Sequence, residues 1–188
     1  DLLKRESYQA ESIAIKLTEP VVPADCDVLV INNPTADFQQ PEIDALEEYV
    51  ARGGRILLMM DPWIRVGTGT EGEQLRPWLE KRLGIVVGSD VVVAEERQEA
   101  LQVELNADSG AFSEADREAP YNGCYAKDHP ITRAFDQPML LQIARTAGIV
   151  EKAPEKVTVV GLLRTGPEFW AETDVAGLRE TQKASRGE

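Results

Sequence analysis

The stretch that decides the fold covers residues 27–60 and reads DVLVINNPTADFQQPEIDALEEYVARGGRILLMM. Its two apolar runs, at 27–31 and 55–60, are nearly continuous, which is typical of strands buried on both faces of a parallel sheet. Between them, Pro41 opens a segment with apolar side chains at helical spacing, and a Gly-Gly pair ends it. This order of strand, helix and strand predicts a βαβ unit with a right-handed crossover.

Weaker patterns predict the elements on either side of this unit. Apolar positions favour a helix near 75–83 and strands at 12–17, 85–87, 91–94, 139–144 and 156–163. Residues 95–120 are polar and acidic, and they read as an insertion with a hairpin near 101–105. The tail after residue 174 is polar and reads as helical or frayed. We therefore expect a single α/β domain over residues 1–188.

The charge excludes several classes of partner. The chain has 33 acidic and 20 basic residues and a net charge of −13. The whole excess lies in residues 1–128, with 25 acids and 12 bases, whereas residues 129–188 carry eight of each. Such a surface repels phosphate, so we expect no nucleic-acid binding and no attachment to anionic lipid by charge alone.

The chain offers no segment for crossing a membrane and few ligands for a metal. No stretch approaches the roughly 18 apolar residues of a span. It starts in mid-pattern, without a signal peptide, and reads as an excised segment, so any membrane attachment would come from segments missing from it. Two cysteines and one histidine predict no zinc site, no other cofactor and no disulfide framework. We expect two thiols, with a Cys26–Cys124 disulfide as the alternative.

Four residues are candidates for a ligand site. Asn32, Asn33 and Asp61 follow the two predicted central strands, and ligands of α/β proteins collect at the carboxyl ends of such strands. His129 could contribute a ligand group there, or its side chain could cap the turn before Ile131. Asn-Pro and Asp-Pro steps are also common turn formers. For Asn33 and Asp61, a role in a turn is the stronger interpretation and a role in ligand binding the weaker one.

Two further patterns suggest chemistry that the surrounding residues do not support. Cys124 lies five residues before His129, a spacing that allows a nucleophile and base on paper, yet no glycine-flanked nucleophile turn surrounds it. Gly67, Gly69 and Gly72 match the spacing of a dinucleotide-binding loop. They do not directly follow a strand, and Glu73 would repel a pyrophosphate, so we interpret this segment as a flexible loop.

Several collinear segments resemble the extracytoplasmic domain of ABC-transporter auxiliary proteins, the group that includes the gliding-motility-associated GldG-like proteins. The similar segments are 22–34 (VPADCDVLVINNP), 49–54 (YVARGG), 55–62 (RILLMMDP), 78–85 (WLEKRLGI), 129–132 (HPIT) and 168–173 (EFWAET). Phe169 stands where the family usually has serine. Together they cover most of the chain.

The resemblance implies a flavodoxin-like three-layer sandwich with a mostly parallel central sheet, related to class I glutamine amidotransferases and ThuA-like proteins. It also implies a domain on the periplasmic side, anchored to the inner membrane in the full-length parent, with an ABC permease and ATPase as partners. The family supplies no catalytic residues to carry over. We therefore expect a non-enzymatic domain that binds a partner subunit or a substrate. The alternatives are an amidotransferase-like or ThuA-like hydrolase, and a small-ligand sensor for sugars.

Overall fold

The computed structural model describes residues 2–62, 72–94, 102–105, 121–181 and 183–184. They form mixed α/β structure, as the sequence predicts. The chain divides into two compact units: unit 1 contains residues 1–32 and 38–58, and unit 2 contains residues 33–37 and 59–188. Across the described ranges, no helix is both long enough and apolar enough to cross a membrane.

Unit 1 contains the predicted strand, helix and strand, except for the last residue of the second strand, Met59, which belongs to unit 2. Its elements are α1 (Leu2–Arg5), β1 (Val28–Asn32), α2 (Gln40–Ala51) and β2 (Arg55–Met59). β1 pairs with β2, and the N–H of Asn33, just after β1, donates to the carbonyl of Met59 at 2.8 Å. The carboxyl ends of the two strands therefore lie side by side, which is the parallel arrangement. The strand predicted at 12–17 is absent from these residues, where only an isolated bridge joins Lys16 and Glu19.

Local sequence sets the limits of α2. At its start, the backbone N–H of Gln39 donates to the Glu42 carboxylate at 2.8 Å, which satisfies one donor left over at the helix end. Its buried side is apolar and consists of Ile43, Ala45, Leu46 and Tyr49. The helix stops before Gly53, whose φ of +91° is a conformation that side chains rarely adopt.

The Tyr49 hydroxyl ties the end of α2 to the beginnings of both strands. It lies 3.2 Å from the Cys26 carbonyl and 3.1 Å from the Arg55 carbonyl, and it accepts the Arg55 N–H at 3.2 Å. Tyr49 is buried, and this burial, together with the neighbouring Cys26, raises the pKa of its hydroxyl. Gly54 is required beside the ring, since an added Cβ would lie only 2.5 Å from it.

Burial of β1 and β2 differs from the sequence prediction. Leu29 is buried, but Val28, Val30 and Leu57 are 48%, 51% and 51% exposed. The prediction that both apolar runs are buried on both faces is therefore wrong. Side chains alternate between the two faces of a sheet, and in unit 1 only one of those faces is buried with the apolar side of α2. We call the side chains of Val28, Val30 and Leu57 the outer face of the β1–β2 sheet.

Unit 2 is built from short antiparallel strand pairs. Its strands are β3 (Ile85–Val87), β4 (Val91–Ala94), β5 (Gln102–Leu105), β6 (Tyr121–Asn122), β7 (Tyr125–Ala126), β8 (Met139–Gln142), β9 (Ala147–Ile149) and β10 (Phe169–Glu172). β3 pairs with β9, β4 with β10, β5 with β8 and β6 with β7, all antiparallel. Its helices are α3 (Leu75–Trp78), which continues into a π turn over Leu79–Leu83, and α4 (Val175–Thr181).

The expected mostly parallel central sheet is not what the described residues show. Each of their sheets has two strands, and the pairings in unit 2 are antiparallel. β5 pairs with β8 instead of forming a local hairpin near 101–105. The strand predicted at 156–163 is reduced to a bridge between Leu163 and Tyr125. Apolar spacing indicates that a segment is extended but not which distant segment it pairs with, and this is why these predictions failed.

β4 is the strand that the core of unit 2 encloses. Val92 packs in a buried cluster with Val103, Leu105, Cys124 and Tyr125. Val91 and Val93 belong to a second cluster that includes Leu178 of α4. All four residues of β4 are buried, so the rule that continuous apolar runs are buried on both faces holds here for an antiparallel strand.

A buried carboxylate closes the turn between β3 and β4. Asp90 is 7% exposed, and its two oxygens accept the backbone N–H of Thr146 at 2.8 Å and the Thr146 hydroxyl at 2.6 Å. The Gly88 N–H donates to the Thr146 carbonyl at 2.9 Å. These bonds satisfy both carboxylate oxygens, as burial of a charged group requires.

The predicted insertion and tail are described only in part. Of residues 95–120, the structure describes 102–105, and the other residues of the insertion lie outside the described ranges. After residue 174 the chain forms α4, in which the Leu178 side chain is 5% exposed. The tail is therefore helical over Val175–Thr181 and contributes to the core.

We expect Tyr49→Phe to lower the free energy of unfolding by about 1–2 kcal/mol, because the partly buried Arg55 N–H loses its acceptor. Urea denaturation followed by circular dichroism measures this change. Tyr8→Phe is the matched control, since Tyr8 is 64% exposed and should lose almost nothing. Equal stability of the two variants would contradict the role given to Tyr49.

The second prediction concerns alkaline pH and Tyr125. Burial raises the pKa of this tyrosine, with the nearby Cys124 adding to the effect. Below the unfolded value of 10.0 the hydroxyl is neutral in both states. Above it the unfolded chain ionises first, so the free energy of unfolding falls as the pH rises toward the folded pKa.

Tyr125→Phe removes this titration together with the buried hydroxyl. The wild type should exceed the variant in stability by about 1–2 kcal/mol at neutral pH, and the difference should shrink above pH 10. Urea denaturation at a series of pH values measures it. A stability difference that stays constant to the highest accessible pH would be inconsistent with the raised pKa.

Candidate functional site

The structure places the predicted crevice residues at the carboxyl ends of β1 and β2. Asn32 is the exposed last residue of β1. Asn33 is held by its hydrogen bond to Met59, and Asp61 follows two residues after Met59 and is half-buried. The prediction that Asn33 and Asp61 follow neighbouring strands therefore has a structural basis, while ligand binding there stays a prediction.

Asn33 combines two features that fit either a turn or a polar site. Its φ of +45° is in the left-handed region, which asparagine tolerates better than most residues. Its side-chain oxygen is buried and accepts no hydrogen bond from the described residues. Such an oxygen could accept a bond from a ligand N–H or O–H.

The described end of the glycine segment, from Gly72 onward, gives no support to an anion site of the dinucleotide kind. Gly67 and Gly69 lie outside the described residues, and Gly72 has a φ of +68° before α3. The Asp37 carboxylate accepts the Gln74 N–H at 2.7 Å, at the start of this short helix. A carboxylate already occupies the position that a phosphate would need, which favours the loop interpretation.

His129 belongs to a compact turn that follows β7. Its Nδ1 accepts the Ile131 N–H at 3.3 Å, and its carbonyl accepts the N–H groups of Thr132 and Arg133 at 3.0 and 2.9 Å. The side chain thus caps the turn, which is the second of the two interpretations above. We call residues 127–135 the 127–135 turn.

The Cys124 thiol lies in the core of unit 2. It is 1% exposed and packs with Val92, Val103, Leu105 and Tyr125. The imidazole of His129 accepts a hydrogen bond from the Ile131 N–H. Cys26 and Cys124 are both thiols, not a disulfide. This environment fits a structural cysteine better than an activated nucleophile.

Within the residues that the structure describes, no cluster of three or more histidine, cysteine or acidic side chains could hold a metal ion. Asp61 and His129, the two candidates with metal-binding chemistry, therefore belong to no such cluster in these ranges. What the crevice offers chemically is hydrogen bonding, through Asn33 and Asp61.

The structure reveals a cavity that the sequence analysis missed. It has a volume of about 300 Å³ and is lined by Tyr125, Ala126, Lys127, Thr132, Arg133 and Phe135. These residues come from β7 and the 127–135 turn. Lys127 and Arg133 look like ordinary surface residues in the sequence; only their closeness to the aromatic pair at 125 and 135 would have drawn attention to them.

The walls of this cavity are fixed by hydrogen bonds. The Thr132 hydroxyl donates to the Ala126 carbonyl at 2.7 Å, and Thr132 is 5% exposed. The Tyr125 hydroxyl is within hydrogen-bond distance of the carbonyls of Leu105 and Gln137, at 2.8 and 2.9 Å. The rings of Tyr125 and Phe135 pack with centroids 5.3 Å apart. A cavity held in this way is formed before any ligand arrives.

Comparison with known proteins gives one match. A family model described as an ABC-type uncharacterized transport system matches residues 3–185. No curated protein matches the chain, and no solved structure does.

The reactivity of the two thiols tests whether Cys124 is a nucleophile. Under native conditions we expect iodoacetamide to modify Cys26, which is partly exposed, and to reach Cys124 only after denaturant is added. Mass spectrometry of peptides measures both, and Cys26→Ser isolates the signal of Cys124. Rapid native alkylation of Cys124 would instead indicate an accessible, activated thiol and would favour the hydrolase alternative.

Proposed function

We propose that this chain is a non-enzymatic domain that binds a partner subunit of an ABC-type transporter. The chain belongs to the family described as an ABC-type uncharacterized transport system, and it is an auxiliary component of such a system. The partner is the permease of the same system, which connects the domain to the ATPase. The domain acts outside the cytoplasmic membrane, and its full-length parent anchors it there.

The outer face of the β1–β2 sheet is the observation that carries this proposal. Val28, Val30 and Leu57 are each about half exposed, and together they form an apolar surface on neighbouring strands. Contiguous exposed apolar side chains are typical of protein-binding surfaces. A subunit that covers them would gain the free energy of their burial.

The positions of Cys124 and His129 support the non-enzymatic part of the proposal. Cys124 is buried in the core and His129 caps a turn, so the two residues best suited to acyl-transfer chemistry occupy structural positions. The parallel β1–β2 pair with α2 between its strands is the part of the structure that supports a flavodoxin-like relationship, and this relationship also stays a proposal.

The localisation rests on the resemblance to extracytoplasmic auxiliary domains. Family membership supports it, because ABC transport takes place at a membrane that an auxiliary subunit must reach. A reporter fusion to the full-length parent tests this part: alkaline phosphatase, which needs an oxidising compartment, should be active when fused after residue 188. Activity of a cytoplasmic reporter at the same position would reverse the assignment.

Replacement of an apolar residue on the outer face should weaken capture of the transporter. Tagged full-length parent carrying Val30→Asp should retain about tenfold less permease and ATPase than the wild type after mild detergent extraction, since a charge would be buried at the contact. Quantitative mass spectrometry of the co-purified subunits measures the retention.

Ala24→Asp is the matched control, because Ala24 is exposed in the same unit and the change adds the same charge. Both variants should keep the wild-type melting temperature within a few degrees, since both positions are solvent-exposed. Equal retention by Val30→Asp and Ala24→Asp would rule out the outer face as the docking surface.

A further inference from the structure

We propose that the cavity between β7 and the 127–135 turn is a binding site for a small organic monoanion. Arg133 receives its carboxylate, and Phe135 packs against its apolar body. This inference goes beyond the function proposed above, since it concerns unit 2 and requires no transporter subunit.

The charge of the cavity lining points to an anion. Lys127 and Arg133 are two of the six lining residues, and among the described residues no carboxylate lines the cavity. The chain as a whole has 33 acids against 20 bases. Cationic side chains at a concave site attract anions.

The charge around the cavity also limits the ligand to a single negative charge. Asp128 and Asp136 are both exposed, and each is next in sequence to a residue of the lining. The 127–136 segment is therefore neutral in sum, with two cations and two anions. A polyanion reaching beyond the cavity would meet these carboxylates, whereas a monoanion seated inside would be paired with Arg133.

The shape and the polar groups favour a carboxylate with a flat apolar body. The guanidinium of Arg133 presents paired N–H donors that match the two oxygens of a carboxylate. The Phe135 ring is 40% exposed and offers an apolar surface beside them. A volume of about 300 Å³ is at the small end of ligand pockets, so the ligand is the size of an aromatic or short aliphatic acid.

Hydrogen bonds of the turn hold the backbone that carries Arg133. The Arg133 and Thr132 N–H groups bond to the His129 carbonyl, and the Phe135 N–H donates to the Thr132 carbonyl at 2.9 Å. The His129 ring caps the same turn through Ile131. His129 thus positions the site without facing the ligand, which gives this histidine a role that its sequence motif alone does not reveal.

Titration with benzoate, followed by the amide resonances of the full chain in solution, tests the proposal. We expect saturable shifts confined to residues 125–135. Benzamide has the same shape without the charge and should bind at least about tenfold more weakly, because it forms no charge-assisted pair with Arg133. Raising the ionic strength should weaken benzoate binding and leave benzamide unchanged.

Two variants identify the residue responsible. Arg133→Gln should weaken benzoate binding by about tenfold, and it keeps the backbone bonds of the turn. Lys152→Gln makes the same change of charge at an exposed position outside the cavity lining and should bind like the wild type.

Three results would overturn the proposal: no saturable shift at residues 125–135, equal affinity for benzoate and benzamide, or equal affinity of the Arg133→Gln and Lys152→Gln variants. None of these results bears on capture of the transporter through the outer face. The two proposals can therefore fail separately.

Discussion

Unit 1 depends on one buried hydroxyl group. The Tyr49 side chain reaches from the last turn of α2 to the backbone that begins β1 and β2, where it meets a carbonyl of Cys26 and both polar groups of Arg55. The helix end and the beginnings of both strands are thereby held at one point. Because the beginnings of β1 and β2 are fixed, their pairing places Asn33 beside Met59 at the other end of the strands. The alternation of side chains along each strand then decides which residues face outward.

The sequence predicted local elements well and their partners poorly. The βαβ unit, the helix at 75–83 and the strands at 85–87 and 91–94 follow from spacing, capping and glycine stops, which act over a few residues. The pairing of β4 with β10 joins segments about 75 residues apart, and no local pattern encodes such a choice. Continuous apolar runs also gave a wrong prediction of burial. The outward valines of β1 belong to such a run, yet about half of each side chain is exposed.

The candidate site likewise has a part that the sequence predicts and a part that it does not. That Asn33 and Asp61 follow neighbouring strands could be predicted, since both come directly after apolar runs. The cavity beside the 127–135 turn could not, because its lining combines a buried tyrosine with two surface cations whose approach depends on the turn. His129 drew attention as a possible ligand, yet its imidazole accepts a backbone N–H and shapes the turn that carries Arg133. A residue can thus contribute to a site by stabilising the backbone that carries the residues of that site.

The pairing of β1 with β2 alone has a consequence for handling the protein. In a sheet of two strands each strand is an edge, so among the described residues both carry a row of backbone N–H and carbonyl groups directed away from the partner strand. With the apolar outer face beside them, these rows can accept an additional strand from another molecule. A preparation of this chain is therefore prone to associate with itself at high concentration. Lysine or proline placed at the rim of β1 is the kind of change that natural edge strands use against this.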